Sequence, residues 1–184
     1  GGKDSSVVLH LVIDYMKRNN IDRKIGVLFL DLEGQYELTI NYIKETLEVN
    51  RDYIIPYWIC LPLNLRNAVS VYQPFWCCWE KQQQDKWIRQ MPDLPYVINE
   101  SNNPFGFYKY RMEFEEFVPE FGKWFGDGKL TACLVGIRSD ESLNRYRTIV
   151  SETKETLSGY KWTTKISENL YNCYPIYDWT TEDL

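Results

Sequence analysis

The chain has 184 residues, of which 44% are hydrophobic and 16% aromatic, so it is long enough and apolar enough to bury the core of one α/β domain. Its formal net charge of −5 and its pI near 5.0 argue against a broad nucleic-acid-binding surface. No apolar run approaches the length needed to cross a bilayer, so no membrane partner is expected.

Cysteine and histidine usage narrows the chemistry further. The five cysteines are odd in number and scattered, without a CxxC pair or disulfide-framework spacing, which favours the reducing cytoplasm. Cys77 and Cys78 are adjacent, and packed thiols are a better interpretation of them than metal ligands. Having His10 as the single histidine argues against a His-based triad and against an imidazole-rich zinc site. Nothing indicates haem, flavin or an Fe–S cluster.

The first part of the chain alternates helix and strand patterns. Apolar residues recur at helical spacing over residues 5–19 and 37–50, and residues 24–31 form a short apolar run typical of a buried parallel strand. Residues 53–60 predict a second strand, bent or interrupted by Pro56. Residues 61–110 are irregular and rich in Trp, Tyr, Pro and Asn, which indicates an insertion with short helices.

The second part continues the alternation. Residues 112–125 predict an amphipathic helix, residues 130–136 a buried strand, residues 138–147 a charged loop and helix, and residues 170–176 a last strand. The fold class is therefore predicted as α/β, one domain over residues 1–184 with a doubly wound, mostly parallel sheet. Both ends are expected to be truncated, because no strand precedes the opening glycines and a helix cap at Thr180 and Asp183 stands at the end.

The opening string GGKDSS runs directly into the first helix pattern. Glycines permit a tight turn with positive φ and let the backbone approach a ligand closely. The helix start adds free N–H groups and the positive end of the helix dipole, which suits phosphate, pyrophosphate or sulfate. The residues predicted to form this anion-binding loop are Gly1, Gly2, Lys3, Asp4, Ser5 and Ser6. The alternative is an ordinary loop and helix cap.

Individual side chains of this loop add chemistry of their own. Lys3 supplies a mobile positive charge and is the candidate catalytic residue, while Ser5 and Ser6 supply hydroxyl donors. Asp4 either caps the helix or helps to hold a magnesium ion, and the sequence does not choose between the two.

Three residues outside the loop are further candidates for the binding site. Asp31 ends a predicted strand at the edge where open α/β sheets bind ligands, and it is expected either near a ribose or metal ion or as a cap for the next turn. Arg138 and Arg145 follow another predicted strand, where forked guanidinium contacts to phosphate or sulfate are expected. Glu141 precedes Arg145 by one helical turn, so a surface ion pair is the alternative there.

Four segments together resemble known nucleotide-binding families. Residues 1–6 resemble the end of the SGGxDS loop of the PP-loop ATP pyrophosphatases. Residues 31–39 (DLEGQYELT) stand where the phosphoadenosine phosphosulfate (PAPS) reductase family has D-T-G-x-x-F-P-E-T, with Tyr in place of Phe. Residues 136–145 (GIRSDESLNR) resemble its G-x-R-x-x-x-S…R loop, and residues 174–183 (YPIYDWTTED) its N-P-L-x-x-W-x-x-x-D-V-W segment. The four motifs occur in the order of the PAPS reductase family.

A subgroup fits better still. Residues 74–79 (PFWCCW) and 117–121 (FVPEF) resemble the IbrA-like proteins, PAPS reductase-like proteins often described as co-activators of gene expression. The resemblance implies a Rossmann-like, adenine nucleotide alpha hydrolase-like domain that binds ATP or PAPS. It leaves open whether Mg²⁺ binds together with the nucleotide. In the reductases the attacking thiolate belongs to a Glu-Cys-Gly-(Leu/Ile)-His motif, which these 184 residues do not contain.

Two functions therefore stay open at this stage. The first is an enzyme of adenylyl or sulfonucleotide chemistry, active in sulfur metabolism or in another ATP pyrophosphatase reaction. The second is a nucleotide-responsive co-activator that contacts a protein partner through residues 61–110. Direct nucleic-acid binding is not indicated, and a homo-oligomer is left open.

Overall fold

The structure, a computed structural model, describes residues 2–67 and 71–183. It is a mixed α/β structure whose strands, within those residues, form open sheets. The helices are α1 Lys3–Arg18, α2 Glu37–Val49, α3 Phe114–Gly126 and α4 Leu143–Val150. The strands are β1 Ile25–Leu30, β2 Ile54–Ile59, β3 Asn64–Arg66, β4 Phe75–Cys77, β5 Val97–Ile98, β6 Thr131–Leu134, β7 Thr163–Ser167 and β8 Leu170–Cys173. Short 3₁₀ segments occupy Lys81–Lys86 and Thr181–Asp183.

The chain divides into two compact units. A continuous unit comprises Arg23–Phe121, and a discontinuous unit comprises Gly1–Asp22 together with Gly122–Leu184. Among the described residues no helix combines the length and the apolar character that a membrane crossing requires.

A parallel sheet of order β1-β2-β5 forms the centre of the continuous unit. β1 and β2 pair in register from Ile25 opposite Ile54 to Leu30 opposite Ile59, and α2 connects them. Trp58 is fully buried in β2 and meets the edge of Phe29 from β1 at a ring-centroid distance of 4.9 Å. The strand and helix predictions for residues 24–31 and 37–50 are thereby confirmed.

Of the two effects predicted for Pro56, an interruption of β2 is wrong, because the strand pairs continuously from Ile54 to Ile59. The ladder bonds show why: β2 donates toward β5 from Trp58 to Tyr96 O at 3.2 Å and from Cys60 to Ile98 O at 2.8 Å. Pro56 has the same parity as these residues, so the position of its missing N–H faces the β5 side. Because β5 begins to pair only at Trp58, no ladder bond is lost at Pro56.

The insertion at residues 61–110 is irregular, as predicted, although it also holds strands. β3 and β4 form an antiparallel ribbon, with Asn64 opposite Cys77, ahead of the first 3₁₀ segment. Trp79 is buried and packs edge-on against Trp87 at a ring-centroid distance of 5.1 Å, so these two indoles form part of the packing of the insertion. Trp76 is different, because 38% of it remains exposed.

The prediction of a core helix over residues 112–125 is confirmed by α3, which continues through Pro119. Phe117 and Phe121 are buried and both pack against Phe105, with ring centroids 5.5 and 5.8 Å apart. This aromatic cluster belongs to the continuous unit.

The discontinuous unit holds a mixed sheet of order β6-β8-β7. β6 and β8 are parallel, whereas β7 and β8 are antiparallel. The prediction of a strand within residues 130–136 is confirmed by β6, but the prediction that this strand is buried is wrong, since Leu130 and Leu134 are 66% and 41% exposed. β6 has a single neighbour in the described sheet, and its burial alternates along the strand.

Helix α1 buries a narrower face than its sequence pattern suggests. Val8, Ile13 and Met16 are buried, but Leu11 and Tyr15 are 41% and 61% exposed. The buried residues lie five and three positions apart, which follows one side of a helix. The side of the helix that carries Leu11 and Tyr15 remains exposed, and exposed and half-buried residues alternate in the first turn.

Candidate anion site at the start of helix α1

Gly2 is the residue that leads into helix α1. Its backbone is extended, with φ of −85° and ψ of 174°, and no side chain within residues 2–67 and 71–183 caps the helix. The predicted positive φ is therefore not used at Gly2, because any residue can adopt this conformation. Gly1 lies outside the described residues. A Cβ at position 2 would meet no atom of the described residues within 4 Å, so packing within the protein does not require glycine there.

The first turn of α1 presents amide groups that have no acceptor in the part of the chain that the structure describes. The backbone N–H of Ser6 donates to Gly2 O at 3.2 Å, whereas those of Lys3, Asp4 and Ser5 find no acceptor among the described residues. Such free donors at the positive end of a helix dipole are the usual setting for a bound anion. Ser6 also donates its hydroxyl to Gly2 O, while the side chains of Lys3 and Ser5 are exposed.

Gly136, which follows β6, lies directly against this first turn. A Cβ on Gly136 would come within 2.7 Å of the Asp4 carbonyl carbon and 2.8 Å of the Ser5 backbone nitrogen. These distances are shorter than a real Cβ contact tolerates, and the obstacle is backbone rather than a flexible side chain. Glycine is thus required here for close approach. The packing brings the opening motif and the motif at residues 136–145 together.

Arg138 lies two residues after Gly136, and its charged side chain is only 9% exposed. Its Nε donates to Asp4 Oδ2 at 3.2 Å, and its Nη1 donates to both Asp140 oxygens at 2.8 and 2.9 Å. Nη1 also contacts Thr181 Oγ1 at 3.4 Å. Because Nε and Nη1 are already hydrogen-bonded, Arg138 does not have two free nitrogens for the predicted forked contact to a phosphate. Nη2 is the nitrogen that bonds to no described residue.

Arg145 occupies a different environment. It forms an ion pair with Glu141 one turn earlier, and its side chain is 42% exposed. Of the two roles predicted for Arg145, the structure therefore shows the surface ion pair with Glu141. Glu141 has a second role, because its Oε2 accepts the backbone N–H of Arg138 at 3.2 Å. Ser142 caps α4 by accepting the backbone N–H of Arg145 at 3.3 Å.

Asp4 is the residue of this region that was considered for magnesium. One of its oxygens is engaged with Arg138, and the described residues contain no group of three or more His, Cys, Asp or Glu side chains suited to share a cation. For a magnesium ion at this position, the protein would supply one carboxylate ligand. Most of its coordination would come from water and from the phosphates of a nucleotide, which is a common arrangement for this ion.

Asp31 lies in the continuous unit and its side chain is fully buried. Oδ1 accepts the backbone N–H of Glu33 at 3.0 Å, and Oδ2 accepts the indole N–H of Trp58 at 2.7 Å. Arg89 forms an ion pair with Oδ1. The carboxylate therefore caps the following turn, which is one of its two predicted roles, and is also the centre of a buried network.

Glu33 and Arg89 are the network members that sequence reasoning missed. Glu33 is 3% exposed, and its two carboxylate oxygens accept the backbone N–H of Trp79 at 2.8 Å and that of Ile88 at 2.9 Å. Arg89 lies over the Trp79 ring at 5.0 Å, and its Nε is buried without a partner among the described residues. Nothing local to Glu33 signals this, because its partners lie 46 and 55 positions away.

The cysteines are all free, and none has the environment of a nucleophile. Burial raises the pKa of Cys77 and of Cys78 to about 12. Burial, reinforced by the Asp31 carboxylate, also raises the pKa of Cys60. Cys133 and Cys173 shift upward for the same primary reason. These thiols therefore stay protonated at neutral pH. His10 is exposed on α1.

Comparison with known proteins gives a relative in Escherichia coli K12. An Escherichia coli K12 protein described as uncharacterized protein YbdN is 41% identical over 187 residues, which cover all of this chain and 44% of that protein. The chain thus spans less than half the length of this relative. No family model matches the chain. No solved structure matches it either.

Proposed function

We propose that this chain is an adenine-nucleotide-binding domain that holds a phosphate or sulfate group at the first turn of α1. One observation carries the proposal: the amides of Lys3, Asp4 and Ser5 have no acceptor among the described residues and lie beside Gly136. An anion at this position would accept these N–H groups and gain from the helix dipole. The exposed Lys3 ammonium would add a mobile positive charge.

The arrangement of the motifs supports the PAPS reductase-like assignment. The opening string and the segment at residues 136–145 each resemble a motif of that family, and Asp4 and Arg138 are hydrogen-bonded although 134 positions separate them. Two motifs that build one ligand site are expected to meet in this way. We therefore propose a doubly wound, Rossmann-like fold of the adenine nucleotide alpha hydrolase type as the finer description of this α/β structure.

The chemistry that we propose first is nucleotidyl transfer. A nucleophile attacks the α-phosphorus of ATP, the bond from that phosphorus to the bridging oxygen breaks, and pyrophosphate leaves with the electron pair. The first-turn amides, Lys3 and a nucleotide-bound magnesium ion would neutralise the charge that develops on the leaving group. Reductive cleavage of PAPS would instead need a reactive thiolate. The protonated cysteines described above do not offer one.

A second candidate function is a nucleotide-responsive partner protein, as the IbrA-like resemblance suggests. Exposed apolar side chains in the insertion favour it, because Val71, Tyr72 and Ile88 are 93%, 96% and 67% exposed. In this candidate function these side chains would form part of the surface that contacts the partner. Nucleotide occupancy would then alter a protein contact rather than drive a reaction.

Calorimetric titration with ATP, PAPS and adenosine phosphosulfate, together with an assay for released pyrophosphate, tests the proposal. Binding of at least one of these nucleotides is expected, and Lys3→Ala should weaken it by about tenfold, whereas Lys44→Ala on α2 should leave it unchanged. Pyrophosphate release that is lost in Lys3→Ala establishes the enzyme. Binding without turnover favours the second candidate, and no binding of any of the three contradicts both.

A further inference from the structure

Arg138 is fixed at two of its three guanidinium nitrogens. Asp4 accepts from Nε at 3.2 Å, and Asp140 accepts from Nη1 at 2.8 and 2.9 Å. A planar group that is bonded at two nitrogens on different corners cannot rotate about its long axis without breaking a bond. The remaining corner, Nη2, then has a defined direction.

We infer that Asp4 and Asp140 are positioning residues that aim Nη2 of Arg138 at the anionic group of the ligand. This inference rests on the proposed function, since it needs an anion at the first turn of α1. Asp4 belongs to that turn, so the carboxylate that holds Nε also places the guanidinium next to the unengaged amides. The predicted forked contact is thereby replaced by a contact through a single donor.

The charges around Arg138 agree with a directional role. The guanidinium carries one positive charge, and two carboxylates lie within hydrogen-bond distance, so the three side chains together are negative by one. Arg138 therefore does not attract an anion by net charge. Its contribution is a donor in a set position, while Lys3 and the amides supply the attraction.

This arrangement also explains why lysine should not replace Arg138. A lysine ammonium is a compact point charge on a flexible stem and cannot span two carboxylates while aiming a third nitrogen. Arg138→Lys should therefore bind nucleotide no better than Arg138→Ala does, although it keeps the charge. Asp4→Asn, in contrast, keeps an oxygen that can accept from Nε.

A double-mutant cycle with Asp4→Ala, Arg138→Ala and the double variant tests the inference. Affinity is measured by calorimetry with ATP and with PAPS as the probes, and stability by thermal unfolding. We expect each single substitution to raise Kd by about tenfold and the double variant to raise it by no more than Arg138→Ala alone. Asp4→Asn should restore most of the affinity. Asp14→Ala, which removes an exposed carboxylate paired with Arg18 on the same helix, is the matched control and should bind normally.

The outcomes separate the inference from the proposed function. If the unaltered protein binds neither probe, both fail. If it binds but Asp4→Ala binds equally well or more tightly, the positioning role alone is overturned, because Asp4 would then be a bystander or a competitor of the ligand. A purely structural role would lower the Tm of Asp4→Ala and leave Kd of the folded protein unchanged. Should Asp4→Ala fail to fold, Asp140→Ala completes the same cycle, since Asp140 is 39% exposed.

Discussion

Gly136 lies so close to Asp4 that a Cβ on the glycine would come within 2.7 Å of the Asp4 carbonyl carbon. The contact is between backbone and backbone, and neither partner can yield by changing a rotamer. It joins the loop after β6 to the first turn of α1, the turn whose amides are proposed to hold the ligand.

Gly136→Ala should therefore push the loop and the first turn of α1 apart. We expect a loss of about 1–3 kcal/mol in the free energy of unfolding, as for other overpacked sites, and weaker nucleotide binding by the protein that still folds. Urea denaturation and calorimetry measure the two effects. Gly106→Ala is the control, because a Cβ at Gly106 meets nothing within 4 Å. Unchanged stability and affinity in Gly136→Ala would show that the close approach is not needed.

Glu33→Ala should destabilise the continuous unit. Its buried carboxylate satisfies the N–H groups of Trp79 and Ile88, and its removal leaves both donors without an acceptor. Unsatisfied buried donors cost about 1–3 kcal/mol each, so a loss of a few kcal/mol in the free energy of unfolding is expected. The exposed Glu45→Ala on α2 should have little effect. A stability loss no larger than that of the control contradicts the role of Glu33 as an anchor of the insertion.

Asp31→Asn should leave the Arg89 guanidinium partly buried without its counter-charge. Breaking a buried ion pair costs about 3–5 kcal/mol, and the lower part of this range is expected because the Arg89 side chain keeps 18% exposure. Urea denaturation measures the loss, with the exposed Asp52→Asn as the control. The same variant tests the predicted ligand contact. An unchanged nucleotide Kd assigns Asp31 to the network alone, whereas a raised Kd adds a contact with the ligand.

The buried thiols predict how stability changes at alkaline pH. Burial raises the pKa of Cys78 from 9.0 to about 12, so the folded state holds this proton after the unfolded state has lost it. The contribution of the thiol is thus fully present below pH 9 and is lost as pH rises from about 9 to about 12. Each fully buried thiol should add a slope of about −1.4 kcal/mol per pH unit within that window. Urea denaturation at pH 7 to 10 should show that the free energy of unfolding declines less for Cys78→Ala than for the unaltered protein. An equal decline in the two proteins would contradict the raised pKa of Cys78.

The parts of the fold that sequence could predict are those with strong local patterns. β1, α1 and α2 follow from apolar runs and helical spacing, and the structure contains all three. β7 was missed because Thr163–Ser167 (TTKIS) has no apolar run and is held by pairing with β8. The burial of β6 was overestimated, since an apolar strand can lie at the edge of a sheet.

The candidate site could likewise be predicted from the sequence only in part. A glycine-rich helix start is visible in the string GGKDSS, so the amides at the first turn could be anticipated. Two features of the site join residues that are more than 130 positions apart. They are the close approach of Gly136 to the backbone of Asp4 and the hydrogen bond that Arg138 donates to Asp4. No local pattern encodes such pairs. For the same reason nothing in the local sequence marks Glu33 as a buried acceptor.

Heteronuclear NMR during titration with ATP or PAPS tests the central claim most directly, because it reports on each backbone amide separately. The account predicts that the resonances of Lys3, Asp4 and Ser5 shift together and saturate with one nucleotide, and that adenosine, which lacks phosphate, leaves them in place. Resonances of these three amides that stay fixed while nucleotide binds elsewhere, or that respond to no nucleotide at all, would contradict it.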